Sequence, residues 1–340
     1  MSSGRHHANI LPAAAIMQFG FWRQLARPFT ALAPMSGITD AAYRRIIARY
    51  GKPDVMYTGF VPADGLDSAG RDNLAHLLWK TAAERPIVAQ LYGGNPRSFE
   101  GAARFVAELG FDGVDINMGC PAKKVEQREG GSALIRDHGR AREIIAAAQA
   151  GAGELPVSVK TRIGYRANEI ESWLACLLGV RPAAITLHAR TRAEAFKSPA
   201  RWSVIERAVE LATELQPERD RRPLIIGNGD VQSLHEAYAW AEQTGCDGVM
   251  VGRSITGNPW FFNRDSGRDD QPLSRVLEVM LEHTELYVRL FGGIKPLELM
   301  RKHFKAYVCG FDGAAGLRAR LMAAADLDQL RRIVRDAAAG

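Results

Sequence analysis

Along the chain, short β-branched apolar runs alternate with longer stretches whose apolar residues recur every three or four positions. The short runs are FTALAPM, VMYTGF, PIVAQLYG, GVDINMG, PVSVKTRIG, AAITLHAR, PLIIGNGD and GVMVGRS. Each has the length and side-chain branching of a strand. Between them, stretches such as PRSFEGAARFVAELG and SLHEAYAWAEQTG read as amphipathic helices that close on glycine, the usual residue just past a helix end. Eight β–α alternations over residues 28–262 predict an α/β fold, a closed (β/α)8 TIM barrel. No GxGxxG follows the first strand, which weighs against an open dinucleotide-binding sheet. After the polar stretch NRDSGRDDQP the pattern is wholly helical, predicting a C-terminal helical bundle. The expected division is an N-terminal extension over 1–27, read as frayed, a barrel over 28–262, a linker over 263–272 and a helical domain over 273–340.

Composition narrows the class. With 46% hydrophobic and 24% charged residues, the 340-residue chain has the balance of a soluble globular protein. No run approaches the roughly 18 apolar residues of a membrane span. The apolar run Ile10 to Met17 leads into Gln18 and Phe19 rather than a small-residue cleavage site, so it is not read as a secretory signal. His6 and His7 alone are too few for a metal site, and Cys120, Cys176, Cys246 and Cys309 stand far apart with no CxxC pair. Free thiols and no expected metal suit a reducing cytoplasm. The net charge of +6 permits a polyanionic partner without requiring one.

Candidate chemistry gathers where a barrel carries its active site, at the C-terminal ends of the strands. Met35, Gln90, Asn117, Lys160, His188, Asn228 and Arg253 all fall at or near those ends. The glycine turns of LIIGNGD and VMVGRS bring backbone N–H groups within reach of a phosphate, and Arg253 adds a charged contact. Tight turns alone would also explain the glycines, though less well at both of the last two strands. Lys160 ends an apolar strand and points a cation toward the barrel mouth. Gln90 and Asn117 carry amides that pair with the edge of a heterocycle. Cys120 sits between Gly119 and Pro121 on a stiff turn, which suits a nucleophile, a redox centre or a proton donor.

The ordered blocks APMSGITDAAYR, DINMGCPAKKV, GGSALIRD, SVKTRIGY, LHARTR, IIGNGD and GVMVGRSITGNPWFF resemble those of the tRNA-dihydrouridine synthases. The resemblance continues more weakly through LMRKHFKAYVCGFDGAAGLRARL. It implies an FMN-containing oxidoreductase that reduces the C5–C6 double bond of selected uridines in tRNA, with NADPH as electron donor. It places Pro34, Met35, Ser36, Gln90, Lys160, His188, Asn228, Gly229, Asp230, Gly252 and Arg253 around the flavin and makes Cys120 the proton donor. Asn117, Arg190 and Arg192, with Lys302 and Lys305 of the helical tail, are assigned to the substrate. A cytoplasmic monomer is expected. Three departures stand out: Ser36 where Ala is common, Ala189 in place of the Gly of HGRT, and Gly59 where a Glu often follows the Thr of the second strand. Gly59 bears on the substrate side more than on the flavin. The rival reading is an FMN barrel acting on a small free pyrimidine.

Overall fold

The computed structural model describes residues 19–339. The strands are β1 (Phe29–Leu32), β2 (Met56–Tyr57), β3 (Val61–Pro62), β4 (Ile87–Tyr92), β5 (Gly113–Met118), β6 (Val157–Arg162), β7 (Ala184–His188), β8 (Leu224–Asn228) and β9 (Gly248–Val251). All pairings are parallel, and the sheet runs from β1 through β9, β8, β7, β6, β5 and β4 to β2. A parallel bridge from Ala31 to Val55 links its two ends and closes the barrel. Leu32 N donates to Val55 O at 2.9 Å across that seam. The expected (β/α)8 architecture is the one observed.

Nine segments make eight barrel strands because the second is interrupted. Tyr57 pairs with Val88 and Val61 with Leu91, so Thr58, Gly59 and Phe60 face only Ala89 and Gln90. That is one residue too many for regular pairing, a bulge that bends the strand at the rim. Glycine inside a strand pattern marks such places.

The bottom of the barrel is plugged from an unexpected direction. Phe19 and Trp22 are buried among Phe29, Tyr57, Ile226 and Met250, and the short helix Gly20–Gln24 holds them there. From residue 19 onward, the segment read as a frayed extension is therefore packed. Two large aromatic side chains have more to gain under an open barrel end than in water. His6, His7 and the run Ile10 to Met17 lie outside the described residues.

Helices α1 (Ala41–Tyr50), α2 (Pro96–Glu108), α3 (His138–Ala152), α4 (Ile170–Gly179), α5 (Trp202–Leu215) and α6 (Leu234–Thr244) surround the sheet. The tail comprises α7 (Leu273–Phe291), α8 (Arg301–Tyr307), α9 (Ala314–Ala323) and α10 (Leu327–Ala339). It docks through α7, whose buried His283 stacks on Tyr43 of α1 at 4.8 Å between ring centroids. Arg49 reinforces the contact with a 2.6 Å ion pair to Glu282. No described helix is long and apolar enough to cross a membrane.

Candidate active site

A cavity of about 310 Å³ opens at the C-terminal ends of the strands. All of the strand-end residues singled out above line it: Met35, Gln90, Asn117, Lys160, His188, Asn228 and Arg253. So do Pro34, Ser36, Gly229, Asp230, Gly252 and Cys120. Arg190 and Arg192, Lys302 and Lys305 do not.

One wall is built around the thiol. Asn117 Oδ1 accepts from the backbone N–H groups of Gly119 at 3.2 Å and Cys120 at 2.9 Å. Its Nδ2 donates to Gln90 Oε1 at 2.9 Å, and Gln90 Nε2 donates to Asp115 Oδ2 at 2.7 Å. Ser158 Oγ completes the relay with a 2.6 Å bond to Asp115 Oδ1. The amides expected to read a heterocycle are thus largely committed to holding the Cys120 turn. A chain of satisfied buried bonds of this kind makes its outer end rigid. On the far side, the Cys120 carbonyl accepts from Ser132 N and Ser132 Oγ, both at 3.0 Å. Burial pushes the thiol pKa up, against the pull of the Ala122 N–H, Arg162 and Lys160. The group therefore holds its proton at neutral pH.

The opposite wall is cationic and glycine-lined. Lys160 Nζ donates to Asn228 Oδ1 at 3.0 Å, and burial, aided by Arg162, lowers its pKa to about 8. Gly229 has φ of +138°, and a Cβ there would lie 2.7 Å from Ala200 Cβ. Gly252 sits against Ala33 and Met35, which a Cβ would approach at 3.5 and 3.6 Å. Both positions keep backbone open to the cavity. Arg253 starts a short 3₁₀ turn and stays exposed, its guanidinium 4.8 Å over the Phe196 ring and 2.7 Å from Asp230 Oδ1. Burial pulls the Asp230 carboxyl up, but the Ala200 N–H, Arg190 and Arg253 outweigh it and hold the pKa below the usual range.

Arg190 is buried behind this wall. It donates to Ser198 O at 2.6 Å, bonds Asp230 and lies 3.2 Å from His188 Nε2. Burial and the surrounding cations Lys160, Arg162, Arg190 and Arg253 hold His188 neutral. Arg192 instead pairs with Glu126 at 2.5 Å. Lys302 Nζ lies 2.9 Å from where a Cβ on Gly37 would stand, and Lys305 is exposed on α8.

Arg162 escaped the sequence reading. It lines the cavity, donates to Gly119 O at 2.8 Å and to Thr191 O at 3.0 Å, and so ties the thiol turn to the loop after β7. Burial lowers its pKa to about 10. Its position two residues after Lys160 was the available signal, because alternate strand residues share a face. Phe60 and Phe196 also line the cavity and were not anticipated.

These residues fit a flavin. The glycine cradle with Arg253 suits a phosphate, and Lys160 suits the electron-rich part of a heterocycle. The model for "Dihydrouridine synthase (Dus)" matches residues 31–339. The chain is 37% identical over 323 residues to "Probable tRNA-dihydrouridine synthase 2" of Bacillus subtilis (strain 168), covering 94% of this chain and 97% of that one. It is 35% identical over 325 residues to "Probable tRNA-dihydrouridine synthase" of Staphylococcus aureus (strain MRSA252), covering 94% and 95%. Among solved structures, morphinone reductase overlaps with a TM-score of 0.49 at 14% identity, covering 73% of this chain and 87% of that chain. A family match that begins inside the first barrel strand and runs to the end of the last tail helix takes in every element of the site, and the chain belongs to the dihydrouridine synthase family.

Proposed function

We propose that this protein reduces the C5–C6 double bond of particular uridines in tRNA, with FMN in the barrel mouth and NADPH as the electron source. The single observation that carries the reading is the Cys120 turn, its backbone held from both sides at the edge of the cavity that the side chain lines. Its relatives, named for tRNA, support an RNA substrate over a small free pyrimidine. A cytoplasmic site of action follows from that substrate.

Flavin held in this cavity would supply the hydride equivalent that saturates C6 of the uracil. Charge then builds on C5 and its conjugated carbonyl, and Cys120 Sγ delivers a proton to C5 as a general acid. Asn117 and Ser132 fix the Cys120 backbone from both sides, so the turn presents the side chain to the cavity from a constant position. Lys160, beside Asn228, faces the region where negative charge collects. Gly229, Gly252 and Arg253 would hold the phosphate of the flavin group. The uridine leaves its stack to enter the mouth, at a cost of a few kcal/mol that contacts elsewhere on the RNA offset. Lys302 and Lys305 are placed among those contacts, on the exposed face of α8.

The test incubates the purified protein with NADPH and either unmodified tRNA or free uridine, and measures dihydrouridine by mass spectrometry. The reading expects yellow protein and product only from tRNA. Colourless protein that takes up no FMN, or product from free uridine alone, overturns it.

A further inference from the structure

Beside the main cavity lies a smaller hollow of about 50 Å³. Met35, Ser36 and Phe60 line both, so the two are neighbours at the rim. Position 59 leaves room for the hollow. A Cβ built on Gly59 would meet only Met35 O, at 3.9 Å, so any longer side chain there would enter the space.

Its lining combines opposite charges that are not joined. Asp40, at the start of α1, uses Oδ1 to accept from Tyr43 N at 3.1 Å. Its Oδ2 makes no hydrogen bond among the described residues. Lys295, on the loop after α7, has its Nζ 4.4 Å from the Phe291 ring centre and enters no ion pair among the described residues. Burial raises the Asp40 pKa against the pull of Tyr43 N and Lys295. Burial lowers that of Lys295 against the pull of Asp40. His76 completes the wall, and Lys302 stands at the outer edge beside Gly37. A bare anion meets the Asp40 carboxylate here, and a bare cation meets Lys295. A group with an anionic end and a neighbouring hydroxyl donor satisfies both. The space accommodates a few water-sized groups, not a second base.

We propose that a phosphate oxygen and the ribose 2′-hydroxyl of a nucleotide next to the base in the main cavity enter this hollow from its rim, with Lys295 on the phosphate and Asp40 accepting from the 2′-hydroxyl. The proposal rests on the RNA reading of the main cavity. A contact to the 2′-hydroxyl distinguishes RNA from DNA at that one position.

The experiment compares an unmodified tRNA transcript with versions carrying one 2′-deoxynucleotide on either side of the reduced uridine. Flavin absorbance reports that each protein is folded and loaded. Lys295→Met keeps the aliphatic stem on Phe291 and should raise KM for tRNA by about tenfold with kcat little changed, while lowering the salt slope by about one. One of the two deoxy substitutions should cost the unaltered protein about tenfold in kcat/KM, the scale of one hydrogen bond to a charged group. Asp40→Asn keeps the helix cap and should be indifferent to that substitution. Gly59→Gln should fill the hollow and raise KM without loss of flavin. Wild-type KM and salt slope in Lys295→Met, or equal reduction of all transcripts by the unaltered protein, overturns the subsite. Failure of the unaltered protein to reduce any transcript overturns the RNA reading itself, and with it the subsite.

Discussion

The barrel mouth and the helical tail both carry many charged and polar groups, and they use them in opposite ways. At the mouth, polar side chains are buried and committed to one another. Ser158, Asp115, Gln90 and Asn117 form one unbroken run of bonds ending at Cys120. In the tail, charges stand in water and pair locally. Arg331 bonds Glu285 and Asp328, both at 2.9 Å, and Arg320 reaches Asp336 at 3.2 Å. Two buried histidines of the tail instead carry unpartnered ring nitrogens. His283 Nε2 and both ring nitrogens of His303 have no hydrogen-bond partner among the described residues. Connected polar groups position chemistry, whereas scattered surface charges are individually weak and confer affinity only together.

The largest effect expected from breaking this contrast is at the end of the mouth network. Cys120→Ala should retain FMN and lower dihydrouridine yield by roughly 10²–10⁴-fold, the scale of general acid catalysis. Product quantified on proteins matched for flavin content checks it. Loss of flavin alongside activity would mean that the thiol only packs the turn.

Next comes Lys160, whose pKa is lowered to about 8. As pH rises through that value the ammonium loses its charge, so retention of an anionic cofactor should weaken above about pH 8. The effect should approach the tenfold or so of a lost charged contact. Flavin release followed across pH 7 to 10 by absorbance tests this, because Lys160→Ala should release flavin more readily and with a flat profile.

The tail should show its own pH dependence, with the opposite sense. Burial holds the His303 pKa at about 3 and that of His283 well below the ordinary value. Both rings are neutral when docked, while an undocked ring takes up a proton below about pH 6.5. Stability from this interface is therefore fully present above pH 6.5 and is lost as pH falls toward the folded values, at about 1.4 kcal/mol per pH unit for each ring. Lys302, whose charge lies near both rings, opposes their protonation, and Tyr43 and Tyr307 supply no negative charge at these pH values. Asp115, with its pKa raised to about 6 by burial, works the other way inside the barrel. Hydrogen exchange resolves the two regions: amides of α7 and α8 should exchange faster at pH 5 than at pH 7, relative to those of β4 to β6. His303→Phe should reduce the difference.

The smallest effect is expected at Arg331. It is exposed, and its ion pairs are screened. Arg331→Ala should leave thermal melting unchanged. A clear drop would show the tail's surface charges to be more coupled than their exposure implies.

The barrel was legible in the sequence because its strands are buried on both faces and therefore read as short continuous apolar runs. The ring of polar strand ends was legible for the same reason, since Lys160 and Asn228 place charged or amide groups at the ends of otherwise largely apolar runs. Three things were not. The bulge at Thr58 to Phe60 lies inside an apolar stretch that reads as one strand, with Gly59 its only mark. The burial of Phe19 and Trp22 depends on the open barrel end that they fill. Arg192 looked available for substrate, and its partner Glu126 lies 66 residues away, a contact only the folded chain makes. His283 and His303 sit in helices rich in charged neighbours, so nothing local announces that their rings face inward.

The role proposed for Cys120 is on the uridine and not on the flavin. Separating the two half-reactions tests it most directly. NADPH is mixed with oxidised protein in one experiment, and unmodified tRNA with NADPH-reduced protein in another, both without oxygen, for the unaltered chain and for Cys120→Ala. Flavin reduction should proceed at equal rates in the two proteins, and reoxidation by tRNA should be slowed at least about a hundredfold in the variant. Slowed reduction by NADPH, with reoxidation by tRNA at the normal rate, would contradict it.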